Sequence, residues 1–517
     1  MSQAKGQGEA DERYSTLLNN AGAIRAICSA VEGTLGPKGL DTMLVGPRGE
    51  VIITNDGVTI LEKMEVSHPA ARLLVEVARS QQEAIGDGTT TATVIAGALV
   101  AEGAALVTRG VPAAKVVAGM GEAIRAAQES LRSRTRTIAD LGDPVLRQIA
   151  RVAGRERDDI AALVLEGAAQ LGRERLSDDG FVFADCVAAK EKAASEVWPG
   201  LLLGHKLPGH AWVREPTGRR VLVLADALEP ESHGEEALAT EAGFRLHLEQ
   251  REQFRSDLAK LQELGVGLVA LDRGADPEAE QFCADHGILL LTRVLRKELQ
   301  RLCEATGALP LKKTALRKPP AALAKALGTA ESLSYDDKLE RVRLAGAAGH
   351  GRFVSVVIGA STREVGAELA RIARDAASAV QAAVRGGYVP GGGALELALA
   401  ADVERFRAQQ TGMEAFGAEA VVHALRKPMA QIVTNAGFNP LEKVEEARSA
   451  QLAEQSDEIA VDCDTGALMN CVERGVIDPA EVKRHALQAA TEIASAVLRI
   501  HTVVKMKGHS VNVNETE

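Results

Sequence analysis

Apolar residues at Leu17, Ala21, Ile24, Cys28 and Val31 recur at the three-and-four spacing that lines one helix face, and Gly33 supplies a stop. Further on, two β-branched runs flank Asn-Asp-Gly between Val51 and Leu61, which predicts a hairpin turning at Asn55–Gly57. Gly86-Asp-Gly-Thr-Thr-Thr91 then opens a long Ala/Val-rich helix ending near Gly110 and Pro112. From about 138 to 200 the pattern is mixed and charged. Beyond it, Arg220–Ala225, Val266–Leu271 and Ile288–Thr292 are short apolar runs that read as buried strands. They alternate with helical patterns, one through Phe254, Leu258, Leu261 and Leu264, the next over Glu278–Asp285, which predicts a parallel α/β unit with its own core. An acidic stretch of about 25 residues, with Glu229, Glu231, Glu235, Glu236 and Glu241, separates the first strand from its helix; that length marks a lid, a binding segment or disorder. From about 352 helical patterns return, interrupted by Gly386–Gly393, and they continue through the Ala-rich Ala486–Ile500. The polar Asn512–Glu517 tail reads as frayed.

A chain of 517 residues suggests about three domains, and 46% hydrophobic with 25% charged residues is enough apolar material for ordinary cores. The net charge of −11 and the 3% aromatic content argue against nucleic acid as the main partner. Six cysteines occur without a CxxC pair, and there is no HExxH, so zinc spacings are missing and the thiols read as reduced and buried. Met1–Tyr14 is polar, without the apolar core of a secretory signal. The most apolar helical stretch, Ala92–Ala101, stops at Glu102, about half the length a bilayer requires. The expectation is a soluble, cytoplasmic protein with no membrane partner.

Three glycine-rich spots carry candidate chemistry: Thr34–Gly39, Gly86–Thr91 and Val389–Gly393. Glycine lets backbone amides approach a ligand, and a helix start adds unpaired N–H groups and a positive dipole end, which suits phosphate. Gly86–Thr91 places an acid and three hydroxyls there, and an acid beside a phosphate needs a cation between them, for which Mg²⁺ is the natural choice. Taken singly, each has a plainer reading: Asn55–Gly57 as a turn, Asp87 as an N-cap, Gly391–Gly393 as a hinge, Asp375 as a solvated or salt-bridged helix position. No GxxxxGK[ST] loop is present.

Order changes the picture. TLGPKGLDTML, NDGVTIL, GDGTTTA, a helical RDA, VPGGGA and GVIDP follow one another along essentially the whole chain. This series resembles the chaperonin family, in its group II form (the archaeal thermosome and the eukaryotic cytosolic ring). Asn435-Ala-Gly, Asn439-Pro440, Leu498-Arg-Ile500 and the position of the acidic insertion are similar to group II as well. Bacterial members of that kind, called group III, are a further likeness of this Arg/Ala-rich sequence.

The resemblance implies a multidomain α+β fold. A mainly helical equatorial ATPase domain would comprise 1–137 and 393–517, and a small intermediate hinge domain 138–200 and 352–392. The α/β apical, substrate-binding domain would be 201–351, with a helical-protrusion lid over about 227–246. The cofactors implied are ATP and Mg²⁺. By motif, Thr34, Leu35 and Gly36 would line the nucleotide; Asp87 would bind the metal; Gly88, Thr89, Thr90 and Thr91 would hold phosphate oxygens. Gly391 and Gly392 would pack on the nucleotide and Asp478 would meet the ribose, while Asp56 and Asp375 would act on the attacking water as catalytic residues. Asp375 would be delivered by closure of the hinge domain, which links hydrolysis to shape change.

The activity implied is ATP-driven folding of unfolded polypeptide clients inside a homo-oligomer of two stacked rings, eight subunits each, needing no separate co-chaperonin. The competing readings are a ring scaffold without hydrolysis and a small-molecule phosphotransferase. Leu201, Leu202, Leu203, Phe254 and Leu258 are candidate client contacts. Two departures from the family pattern stand out. Arg151–Arg157 lacks the serine and γ-phosphate-sensing lysine of thermosome-like chains, with Arg157 the available charge, and His501-Thr replaces an Asp-Asp.

Overall fold

The computed structural model describes residues 3–204, 215–231, 241–347 and 352–504. The chain divides into two compact units, one formed by 1–156 with 378–517 and the other by 157–377.

The first unit is built on helices. Thr89–Thr108 lies at its centre, packed by Gln3–Glu32, Pro69–Ala84, Glu414–Asn435 and Ala480–Leu498. Their shared core includes Ile24, Leu74, Ile95, Leu99, Met120 and Leu487. Ala113–Arg134 and Glu414–Asn435 cross where Gly119 meets Gly417; a Cβ on Gly119 would lie 1.9 Å from the Glu414 carbonyl, so the two backbones touch only because neither position has a side chain. The central helix runs 20 residues, past Glu102, with a mean hydropathy of 1.6 in its most apolar window. It is therefore long and apolar enough to cross a bilayer, contrary to the shorter stretch read from sequence, but its buried face belongs to this core.

The expected hairpin at Asn55–Gly57 does not form. Val51–Thr54 pairs backwards with Thr42–Val45, and Asp56 instead caps the helix Gly57–Lys63, its Oδ2 accepting the Thr59 amide at 3.1 Å. An Asp that can satisfy an orphan helix N–H competes with the turn chemistry of Asn-Asp-Gly, and here the cap wins. Nor is Gly391–Gly393 a loose hinge. Tyr388–Pro390 pairs antiparallel with Ile477–Pro479, and the Gly391 amide donates to the Val476 carbonyl at 3.0 Å.

The second unit carries a six-stranded sheet in the order Leu201–Gly204, Arg341–Ala347, Gly328–Asp336, Arg220–Leu224, Val266–Leu271, Leu289–Leu291. The last three are the strands read from sequence, and they are parallel as expected. Side-chain alternation splits the core between the two faces: Val221 and Val223 with Leu268 on one, Leu222 and Leu224 with Leu258 and Leu261 on the other. Helices Glu241–Glu263 and Pro277–Asp285 fill the gaps between those strands. A smaller sheet joins Val187–Glu191, Val354–Ala360 and Glu196–Pro199. Val354–Ala360 corrects the purely helical reading from 352 onward; Val354–Ile358 are all buried, as in a strand covered on both faces, with Ser355 the one polar residue among them.

Leu201, Leu202, Leu203, Phe254 and Leu258 are at most 6% exposed and belong to these cores, so they are not client contacts in this conformation. Of the segment 227–246, residues 232–240 lie outside the described residues, Glu235 and Glu236 with them, as does the tail from 505. The described ends are anchored: Leu228 is buried, Glu229 and Glu231 pair with Lys313 and Arg317, and a helix starts at Glu241. All six cysteines are free; Cys303 and Cys463 are half-buried rather than buried.

Candidate active site

The site grows from the start of the central helix. Gly88, in the left-handed region at φ 78°, is its N-cap, and no side chain caps it. The amides of Thr89, Thr90 and Thr91 are thus the unpaired N–H groups of a helix end carrying a positive partial charge. Asp87 is not the cap. Its Oδ1 accepts the Gly88 amide at 2.7 Å, and Gln81, wholly buried, donates through Nε2 to the Asp87 carbonyl at 2.7 Å. The turn is therefore held from behind, with the carboxylate left at the helix mouth.

Burial pushes the Asp87 carboxyl up to about 6, Asp478 and Asp56 adding to the rise while the Gly88 amide and Lys483 oppose it. Asp56 arrives on its own turn: a Cβ on Gly57 would lie 2.5 Å from Thr90 Oγ1, so that turn rests on the start of the central helix. Asp478 arrives on the strand opposite Val389, and a Cβ on Gly391 would lie 3.2 Å from its Oδ2.

Thr34–Gly36 is tied to the same unit from another side. Asn435 Nδ2 donates to the carbonyls of Glu32 and Leu35, both at 2.8 Å, and Ile432 packs where Gly36, at φ 86°, has no side chain. The Thr34 hydroxyl donates to the Val31 carbonyl at 2.8 Å. The same helix, Glu414–Asn435, carries Met429 against Gly393 at the end of the other glycine loop. Thr34–Gly36, Asp56, Asp87–Thr91, Gly391–Gly392 and Asp478 are thus brought together in one unit from sequence segments hundreds of residues apart.

Two residues of the site were not read from sequence. Lys483 Nζ lies 2.7 Å from Asp478 Oδ2 and 2.7 Å from Glu396 Oε1. Burial alone would pull the Lys483 ammonium down, but Asp478 and Glu396 more than offset it and hold it above the ordinary lysine range. Glu396 did leave a signal: it is a lone acid in the apolar run Ala394–Ala400. Lys483 left none, because a lysine between Val482 and Arg484 looks like a solvated helix position.

Asp375 belongs to the second unit, on the helix Arg363–Gly386, where Arg371 Nη1 donates to its Oδ2 at 3.0 Å. Arg157, also of that unit, grips Asp159 through Nε at 2.9 Å and Nη2 at 2.6 Å. His501 is exposed.

Among the described residues no group of three or more His, Cys, Asp or Glu could hold a metal by itself. The donor chemistry still fits Mg²⁺ shared with a substrate: that ion binds through one or two carboxylates plus phosphate oxygens and water, and Asp87 is a carboxylate whose charge the Gly88 amide and Lys483 compensate only in part.

A helix start that gathers unpaired amides, hydroxyls and half-buried carboxylates has the chemistry of a phosphate site, and it lies in a helical unit joined in one chain to a separate α/β unit. The TCP-1/cpn60 chaperonin family model matches residues 27–508, and the chain belongs to that family. The thermosome subunit beta of Desulfurococcus mucosus is 33% identical over 499 residues, covering 93% of this chain and 98% of the relative. The thermosome subunit 3 of Haloferax volcanii is 33% identical over 514 residues, with 95% of each chain covered. A crystal structure of a group III chaperonin in the open state superposes with a TM-score of 0.83 at 42% identity, covering 96% of this chain and all of that one. The protein is an ATP-dependent chaperonin, an ATPase coupled to protein folding that works as a ring oligomer on client polypeptides. The phosphotransferase and non-hydrolysing scaffold readings fall away with that.

Proposed function

We propose that the carboxylate cluster at the head of Thr89–Thr108 is where Mg-ATP is bound and cleaved. The observation that carries this reading is Asp87, raised to about 6 beside Asp478 and Asp56 at an uncapped helix start. Asp87 would hold Mg²⁺, which supplies neutralisation of phosphate charge when bound. The amides and hydroxyls of Thr89, Thr90 and Thr91 and the backbone at Gly88 and Gly36 receive phosphate oxygens. Thr34 and Leu35 flank the nucleotide, Gly391 and Gly392 let it lie against backbone, and Asp478, steadied by Lys483, accepts from a ribose hydroxyl.

In the chemical step a water oxygen attacks the γ-phosphorus, the bond to the β–γ bridging oxygen breaks, and ADP leaves with the electron pair. Asp56 orients that water and takes its proton, with Asp375 as the second carboxylate acting on it. Asp375 lies three residues before Ser378, whose Oγ would be 2.3 Å from a Cβ on Gly86. The helix bearing Asp375 runs without a break through Ser378 to Gly386, so one helix passes from the second unit into the first. This continuity supports coupling of hydrolysis to movement of 138–200 and 352–392 as a hinge, with 1–137 and 393–517 as the ATPase domain and 201–351 handling clients.

The same reading makes 227–246 a built-in lid that removes the need for a separate co-chaperonin, in two stacked rings of eight working in the cytoplasm. Measuring ATP turnover against nucleotide affinity for Asp87→Asn, Asp56→Asn and Asp375→Asn, with end-on electron microscopy of the rings, tests it. Unchanged turnover in all three variants sinks the assignment of the site.

A further inference from the structure

Within the second unit a cavity of about 390 Å³ is lined from the Val187–Glu191 strand, the Arg296–Thr306 helix, the Arg341–Ala347 strand and the Arg363–Gly386 helix. It shares no residue with the nucleotide site. Three arginines line it, Arg301, Arg341 and Arg374, against two acids, Glu298 and Asp185. The Asp185 carboxylate is taken up by Lys297 at 2.9 Å, which cancels it. Arg301 is oriented by the Asp185 carbonyl, 2.9 Å from its Nη1, and by the Cys186 sulfur, 3.8 Å from its Nη2.

Arg341 and Arg374 have no ion pair and no side-chain hydrogen bond among the described residues. Burial pulls the Arg341 guanidinium below its ordinary range; Glu298 partly restores it and Arg374 opposes it again. A guanidinium does not solve such a position by releasing its proton, so the compensation that Glu298 does not supply must come from a counter-anion or water. Three guanidiniums against one uncancelled carboxylate leave an excess of two positive charges, and planar forks of this kind match the oxygens of a phosphate group.

We propose that this cavity binds a small phosphate-class dianion, either free inorganic phosphate or the phosphate monoester of a small metabolite, held by Arg301, Arg341 and Arg374.

The test is isothermal titration of the full-length, assembled protein with its nucleotide sites saturated by Mg²⁺ and a non-hydrolysable ATP analogue. One arm uses inorganic phosphate and the other glucose 6-phosphate, both at matched ionic strength. Because Arg374 directly precedes Asp375, binding rather than turnover is the readout. Saturable binding of either probe at one site per chain is expected, weakened about 10- to 100-fold in Arg374→Gln and in Arg341→Gln, the loss associated with a charge-assisted hydrogen bond. The arm that binds more tightly identifies the source of the phosphate. Arg374 is exposed, so that variant stays informative if Arg341→Gln fails to fold. No saturable heat from either probe up to about 10 mM, or an affinity that Arg374→Gln leaves unchanged, overturns the proposal.

Discussion

Lys483 Nζ and Asp478 Oδ2 stand 2.7 Å apart, and the same ammonium lies 2.7 Å from Glu396, a carboxylate only 1% exposed. One lysine therefore compensates two acids that come from opposite sides of the glycine loop Gly391–Gly393. Removing it should hurt for two separable reasons. Lys483→Met leaves the Glu396 charge buried and unpaired, a loss of about 3–5 kcal/mol by the usual cost of breaking a buried pair. Adding Glu396→Gln should restore most of that stability in urea unfolding, while nucleotide affinity stays reduced because Asp478 remains unsteadied. If the double variant binds nucleotide as the parent does, Lys483 is only a structural counter-ion.

Asp87 gives the site a pH dependence of definite sign. Its carboxyl is raised to about 6 from 3.8, so between those values the folded protein binds more protons than the unfolded chain. The raised value is a stability penalty that is absent below 3.8, grows as pH rises and is complete above about 6. Asp87→Asn should therefore stabilise the nucleotide-free protein at pH 7, by about 1–3 kcal/mol, with the gain gone by pH 4. The same variant should lose Mg²⁺-dependent turnover, as should the parent under a chelator. Thermal melts from pH 4 to 8 read the first effect and phosphate release the second.

For the two carboxylates assigned to the water, the discriminating variants are amides. Asp56→Asn keeps an oxygen to accept the Thr59 amide, so the helix cap survives, and Asp375→Asn keeps an acceptor for Arg371. Each should lower kcat about 100- to 10,000-fold, the range for losing a positioned base, with nucleotide Kd changed by no more than a few-fold. A loss of affinity that matches the loss of rate would place the residue in binding instead.

Gly88 and Gly110 both adopt left-handed backbone, at φ 78° and 99°, but only Gly88 is crowded, a Cβ there meeting Val482 Cγ1 at 2.4 Å. Gly110→Ala carries backbone strain alone, about 1 kcal/mol, and should leave turnover intact. Gly88→Ala adds a clash at the helix mouth and should cost more, about 2–3 kcal/mol, while weakening nucleotide binding. Equal effects in the two variants would mean the close approach of Val482 is unimportant.

Helices and strands whose burial shows in their own period were readable in advance. Leu17–Val31, the parallel strands at Arg220, Val266 and Ile288, and the Phe254–Leu264 stripe each carry their partners' direction in the spacing of apolar side chains. Where two local signals compete, spacing misleads. Asn55-Asp56-Gly57 reads as a hairpin turn until Asp56 finds the Thr59 amide, and Leu201–Leu203 reads as a binding surface until the strand's neighbours cover both faces.

The ordered motifs around Gly36, Asp87, Gly391 and Asp478 are local, because each must bend the backbone in its own way wherever the chain leads. That made the family visible in the linear chain, together with the residues proposed here to handle phosphate. Charge compensation is not local. That Lys483 answers both Glu396 and Asp478, that Asp87 is pushed upward by burial and then by acids from distant segments, and that Arg341 faces a cavity without an ion-pair partner all follow from burial and through-space electrostatics. Those quantities exist only once the segments have packed.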